Sequence, residues 1–326
     1  MTANETGEPT TGPGAPRAMG AMGFAILALA FASIFITRLE LAGVPPISIA
    51  FYRIALATCL LSPVALAFKW REIRSLSGRD LLLLASGGLF LALHFGAWIT
   101  SFKYIPIATA VVLVNSHPLF VVIAAYFFLG DRPTRRHLSG TVIGLAGMAI
   151  ISHDGLKGAE FALWGDSLAI LGALAIVGYF IVGRKARARV SLLAYVTPLY
   201  AFCSLILLVW ALASGSRLYP YDSTVWFYLL ALAVVPTILG HTVFNWAIKH
   251  VRPSAISVTF LGEPVVAALL ALVLFGQQLS VSTLIGGAFV LGGVCLTTSG
   301  GGQPSVTKSA GQETEPCDER PLDSAT

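Results

Sequence analysis

"FLGEPVVAALLALVLFG", residues 260–276, sets one carboxylate, Glu263, in an otherwise apolar run and a proline, Pro264, directly behind it. A charged side chain within hydrocarbon is costly, and a proline inside a helix removes the N–H that would pair with the carbonyl four residues back. Irregular backbone at membrane depth is tolerated where it is buried in protein or lines a water-filled cavity. The stretch therefore reads as a broken membrane span facing the interior of a helical bundle.

The rest of the chain supplies the bundle. Of 326 residues, 11% are charged and 56% hydrophobic, against roughly 25% and 45–50% in an average soluble domain. Mean hydropathy is +0.79. A soluble protein of this length needs more polar surface than this composition supplies, so the fold class is an all-α integral membrane protein. Apolar runs able to cross ~30 Å of hydrocarbon recur ten times. They lie at 20–37, 46–68, 80–101, 106–129, 136–153, 163–183, 192–214, 224–246, 253–275 and 280–299.

The formal charge of +5 and pI near 9.1 come from short basic clusters between these runs. The loops after spans 2, 4, 6 and 8 hold thirteen Lys and Arg, and the loops after spans 1, 3, 5, 7 and 9 hold four: Arg38, Lys103, Lys157 and Arg217. Positive residues accumulate on the cytoplasmic side, which places both termini inside a bacterial-type cytoplasmic membrane. Topology also accounts for "GRKARARV" (183–190) without a nucleic-acid partner. The polar segment 1–19 lacks a basic signal-peptide head, so the first run is expected to be retained, with 1–19 and 300–326 as disordered cytoplasmic tails. Four cysteines without paired spacing indicate no disulfide framework, no metal site and no cofactor motif.

A shift of 146 residues overlays the second half on the first: Pro118 on Pro264, Gly130 on Gly276, Gly140 on Gly286, Gly147 on Gly293. Residues 20–153 and 163–299 thus form two five-helix repeats, and because five is odd the copies are inverted. Inverted repeats with helix breaks at matched positions are a plan of secondary transporters. Pro118 frees the carbonyl of Val114 and Pro264 that of Phe260. "NSHP" and "LGEP", with Gly262 beside the second break, place His117 and Glu263 roughly 15 Å into their spans. Asn115 sits at the same depth as His117.

Other polar residues carry two readings each. Arg53 in span 2 either holds an anionic group or snorkels to the surface. His94 and His241, one residue out of register between repeats, either move protons or pack as neutral imidazoles. Asn245 shares a helical face with His241 at i+4. Trp98 and Trp246 lie near span ends and read first as interface anchors, whereas Tyr126, Tyr179, Tyr195 and Tyr200 either wall a solute or join such belts. "GTVIG" and "GGAFVLGG" in spans 5 and 10 permit close helix contact, within the bundle or between monomers of a homodimer.

"SIAFYRIALA" (48–57), "LVNSHPLFVVIAAYFFLGDR" (113–132), "GTVIGLAGMAII" (140–151) and "ISVTFLGEPVVAALLALVLFGQQLSVSTLIGGAFVLGG" (256–293) together resemble the EamA-type members of the drug/metabolite transporter superfamily, over about residues 20–299. The resemblance implies a central cavity faced by helices 1, 3, 4, 6, 8 and 9, with the fifth helix of each repeat peripheral. It also matches Arg53 to an arginine of helix 2 in that family. Where many such proteins carry Gly-Glu after helices 4 and 9, this chain has Gly130-Asp131 and Gly276-Gln277, which weakens acidic pairing at the second loop. The expected function is alternating-access export of small metabolites, amino-acid-like, nucleotide-related or drug-like, with protons and membrane lipids as further partners. Glu263 with His117 would bind solute or proton. A lipid flippase and a passive channel are the alternatives. A membrane-embedded enzyme would need a nucleophile–base pair or metal ligands gathered at one depth, and the sequence offers no such motif.

Overall fold

The computed structural model describes residues 15–120, 124, 134–158, 162–187, 189–247 and 262–299. Its helices are α1 (Ala15–Leu41), α2 (Pro46–Arg74), α3 (Gly78–Ser101), α4 (Ile107–Val114), α5 (Arg135–Gly158), α6 (Ala162–Arg187) and α7 (Leu192–Ala213). They are followed by α8 (Ser223–Leu232), which runs on through a π-helical stretch (Ala233–Thr242) into Val243–Ala247, then by α9 (Gly262–Phe275) and α10 (Val281–Ser299). No strand occurs among the described residues.

Local chemistry sets the boundaries. Pro46 opens α2, where a missing N–H costs nothing. Ser77 and Asp80 form a reciprocal capping box on α3, and Asp222 caps α8 through Val225 N–H at 2.8 Å. Gly276, at φ 64°, ends α9 in the left-handed conformation that favours glycine. That turn aims Gln277 at the start of α4, where its Oε1 accepts from Ile107 N at 3.3 Å. The glutamine that replaces the expected acidic residue thus caps a helix of the other repeat.

Six described helices are long and apolar enough to cross a membrane, and four shorter apolar helices occupy Ile107–Phe120, Leu138–Ile151, Glu263–Phe275 and Val281–Leu296. Expected spans 4 and 9 continue into 121–133 and 248–261, which apart from Ala124 lie outside the described residues, as do Tyr126, Asp131, Lys249, 1–14 and 300–326. Several expected ends need correction. α1 starts at Ala15, so residues 15–19, expected in the tail, are helical. α2 runs to Arg74 and α6 to Arg187, beyond the expected ends at 68 and 183. The added turns are basic, and cations at a helix C-terminus are favoured by its dipole although they are not apolar.

Helix packing follows an exchange pattern between the halves. α1 packs on α8 and α6 on α3, α1 on α9 and α6 on α4, and α2 on α8 and α7 on α3. α2, α4 and α5 pack on α7, α9 and α10, their own counterparts under the shift. Thr58 and Ser204, 146 positions apart, meet at 3.3 Å between α2 and α7.

At the C-terminal end of α2, Glu72 accepts from Ser191 N and Ser191 Oγ, both at 2.6 Å, at the start of α7. A carboxylate at a helix N-terminus satisfies orphan N–H groups and complements the dipole. Glu72→Ala is expected to destabilise the protein by about 1–2 kcal/mol, read as an earlier denaturation midpoint in detergent. An unchanged midpoint would show that water replaces the tie at no cost.

Candidate functional site

The first break is built by its own side chains. α4 stops at Val114, Asn115 and Ser116 turn, and helical geometry resumes at His117. Val111 O accepts from both Asn115 N and Asn115 Nδ2 at 3.0 Å. Leu113 O accepts from Ser116 N at 3.2 Å and Ser116 Oγ at 2.6 Å. Val114 O, whose helical N–H partner Pro118 lacks, faces His117 Nδ1 at 3.3 Å. "NSHP" is therefore a self-capped break.

α9 lines the same cavity as this break, through Glu263. α9 opens at Gly262, which puts Glu263 and Pro264 in its first turn, both buried, with Glu263 8% exposed. Asn115, at the first break, lines the same cavity as the Glu263 carboxylate.

Facing them is Arg53 on α2, 0% exposed. Snorkelling to the surface is thereby ruled out. Its Nε donates to Thr237 Oγ1 at 2.9 Å, and Thr237 Oγ1 donates in turn to Leu232 O at 3.0 Å. The guanidinium lies over the Phe95 ring, 4.1 Å from its centroid, with Trp98 at 5.9 Å. Nη1 and Nη2 have no hydrogen-bond partner among the described residues. Arg53 and Glu263 act on each other electrostatically, yet no ion pair joins them among the described residues.

These groups line one cavity together with His94, Trp98, His117, Phe180 and His241, with apolar residues of α1, α4 and α6 completing the lining. Its volume is about 40 Å³, room for about three water molecules. A metabolite enters only if the walls part. His94 Nδ1 lies 2.9 Å from Gly172 O; a carbonyl only accepts, so Nδ1 carries the proton. His241 meets Phe95 edge-on, centroids 5.6 Å apart.

Of the candidates read from sequence, Glu263, His117, Arg53, His94, Asn115 and His241 come together at this cavity. Asn245 does not: its Nδ2 donates to Tyr179 OH at 2.9 Å. Trp98 is corrected from interface anchor to cavity wall, being 4% exposed, while Trp246 is exposed. Tyr179, Tyr195 and Tyr200 are core residues and belong to no belt. Phe95, Thr237 and Phe180 were not anticipated. The π-helical stretch carrying Thr237 and His241 had one sign in the sequence, Pro236 within an apolar run.

α1, α3, α4, α6, α8 and α9 all contribute to the lining, joined by α2 through Arg53. α5 and α10 pack on each other, away from it. Their glycines are the seam, with a Cβ on Gly147 falling 2.5 Å from Gly286 O and one on Gly293 2.5 Å from Gly140 O. The small-residue faces are thus spent within the bundle.

The model of the EamA-like transporter family matches twice, at residues 18–153 and 163–299. An "Uncharacterized transporter" of Archaeoglobus fulgidus is 26% identical over 284 residues, covering 84% of this chain and 96% of that protein. The "Uncharacterized inner membrane transporter YedA" of Escherichia coli K12 is 26% identical, covering 85% and 89%. A "Probable terminal-alkyne amino-acid exporter" of Streptantibioticus cattleyicolor is 26% identical over a shorter region, 59% of this chain and 64% of that one. A solved crystal structure shares the fold with a TM-score of 0.62 at 21% identity, over 87% of this chain and 97% of the other.

Proposed function

The chain belongs to the EamA-like transporter family, and from that premise we propose that this membrane transporter exports small metabolites from a bacterial cytoplasm by alternating access, with the solute held between Arg53 and Glu263. The observation that carries the reading is a cavity where the broken helix of the first family repeat and the start of α9 in the second meet a buried cation, a buried carboxylate and three histidines.

The reciprocal packing of the halves, and the meeting of Thr58 with Ser204, support reading the repeats as inverted copies about a pseudo-two-fold axis. Two near-equivalent halves give two states of similar energy, one open to each side. The direction rests on the relative named as an amino-acid exporter, and the inner-membrane setting on the relative named for it. Proton coupling rests on Glu263, a carboxylate held where solute and proton compete for it.

The test is flux in sealed liposomes across a metabolite panel, with and without an imposed pH gradient. Glu263→Gln is expected to lose gradient-driven accumulation and keep solute counterflow. Gradient-driven accumulation equal to the parent in the folded variant would remove Glu263 from the coupling path.

A further inference from the structure

We propose that the solute docks through a free carboxylate on the Nη1 and Nη2 edge of Arg53, which makes small monocarboxylates, amino acids among them, the substrate class of this carrier. The inference rests on the proposed transport function and deepens it.

Four observations lead to it. Arg53 is 0% exposed, so its charge is not relieved by bulk solvent. Its Nε is already engaged by Thr237 Oγ1 at 2.9 Å, and that hydroxyl spends its own hydrogen on Leu232 O. The side chain is therefore oriented, and the Nε edge is closed to a ligand. Phe95 covers a face of the guanidinium at 4.1 Å. What remains is the end edge of a residue that lines the cavity, two parallel N–H groups without partners among the described residues, covered until the walls part.

That edge matches a carboxylate, which accepts two parallel hydrogen bonds from an arginine fork. A buried donor left unmade costs more than a made one returns, so a ligand that completes the fork gains most of what the free site lacks. Charge narrows the class further. The site holds one fixed cation and a carboxylate of its own, Glu263. A monoanion is answered by Arg53, whereas a phosphate dianion would bring a second negative charge toward Glu263 with no second arginine or lysine among the described residues of the wall. The rings of Phe95, Trp98 and Phe180 beside the fork suit an apolar or aromatic body behind the carboxylate.

The experiment is ligand-induced thermal stabilisation of the purified full-length protein. The probes are the twenty proteinogenic amino acids, short aliphatic and aromatic monocarboxylates, the amide and methyl ester of each, inorganic phosphate, and tetraphenylphosphonium as an organic cation. At least one carboxylate is expected to stabilise saturably, with its amide and ester weaker by roughly 10- to 100-fold, the loss of one charge-assisted bidentate contact. The comparison uses the unaltered protein and does not depend on a variant folding. Arg53→Gln should abolish the acid–amide difference, and Arg53→Lys, which keeps the charge and loses the fork, should fall between. Acid and amide equal within about twofold, stabilisation by phosphate matching that by carboxylates, or no saturable carboxylate at all would overturn the proposal. Carboxylate binding without flux in liposomes would uphold the Arg53 assignment and count against the transport reading. Flux of uncharged or cationic solutes that is insensitive to Arg53→Gln would do the reverse.

Discussion

Arg53→Met is expected to raise the melting temperature of the purified protein while removing its transport activity. The native guanidinium is buried with two unpaired nitrogens, and each buried donor left unmade costs on the order of 1–3 kcal/mol. Offsetting this, the substitution loses the contact with Phe95, about 2 kcal/mol for a desolvated cation over a ring. Methionine recovers part of that through its own sulfur–aromatic packing. Thr237 is not orphaned, because its hydroxyl still donates to Leu232 O. The balance favours the variant by about 1–3 kcal/mol, in line with buried charges replaced by apolar groups elsewhere. Flux of carboxylate solutes should fall by about 30-fold or more, the loss of one buried charge contact. Stability gained as activity is lost marks a residue kept for function. A lower melting temperature in a fully helical variant would instead make Arg53 a structural strut.

Gly147→Ala is expected to be among the most damaging single-methyl additions in the protein. The new Cβ would sit 2.5 Å from Gly286 O, 2.7 Å from Val290 N and 2.8 Å from Phe289 Cβ. Two of those neighbours are backbone atoms of α10 and cannot rotate away. Overpacking of this kind costs about 1–3 kcal/mol, and the upper end applies because the helices themselves must separate. Gly147→Leu should leave no monodisperse protein on size exclusion. Gly292, on the same seam helix, has nothing within 4 Å of its added Cβ. Gly292→Ala should be neutral or gain roughly 0.5–1 kcal/mol from helix propensity. Equal denaturation midpoints for Gly147→Ala and Gly292→Ala would mean that the α5–α10 seam is loose in solution.

How legible this was in the sequence differed by residue. Glu263-Pro264 and His117-Pro118 were readable because each breaks two rules of a membrane span at once. Arg53 could be placed in depth by counting from Pro46, but depth says nothing of direction around the helix axis. Its burial excludes snorkelling. Trp98 was misread for the same reason: it lies near the end of α3 yet turns inward. Phe95 and Thr237 were invisible as site residues, since a ring under a cation and a hydroxyl behind it are ordinary span residues until another helix meets them. His241 stands one residue out of register with His94 under the shift of 146. The π-helical winding before it, with its i→i+5 bonding, takes up the extra residue and lets both imidazoles reach one cavity.

The contacts of α2 carry a mechanical consequence. Near its N-terminus Ser48 Oγ and Tyr52 OH donate to Arg217 O and Leu218 O, each at 2.7 Å. At mid-length it meets Ser204, and at its far end Glu72 holds Ser191. A rod pinned at three levels to its neighbour is a poor lever and a good anvil. Any motion that spares these pins leaves Arg53 stationary and must displace walls supplied by other helices, including α9 with Glu263. Under the alternating access proposed above, the two opposite charges draw apart or together. Their mutual attraction, which weakens with separation, then becomes a spring whose tension differs between the two proposed states.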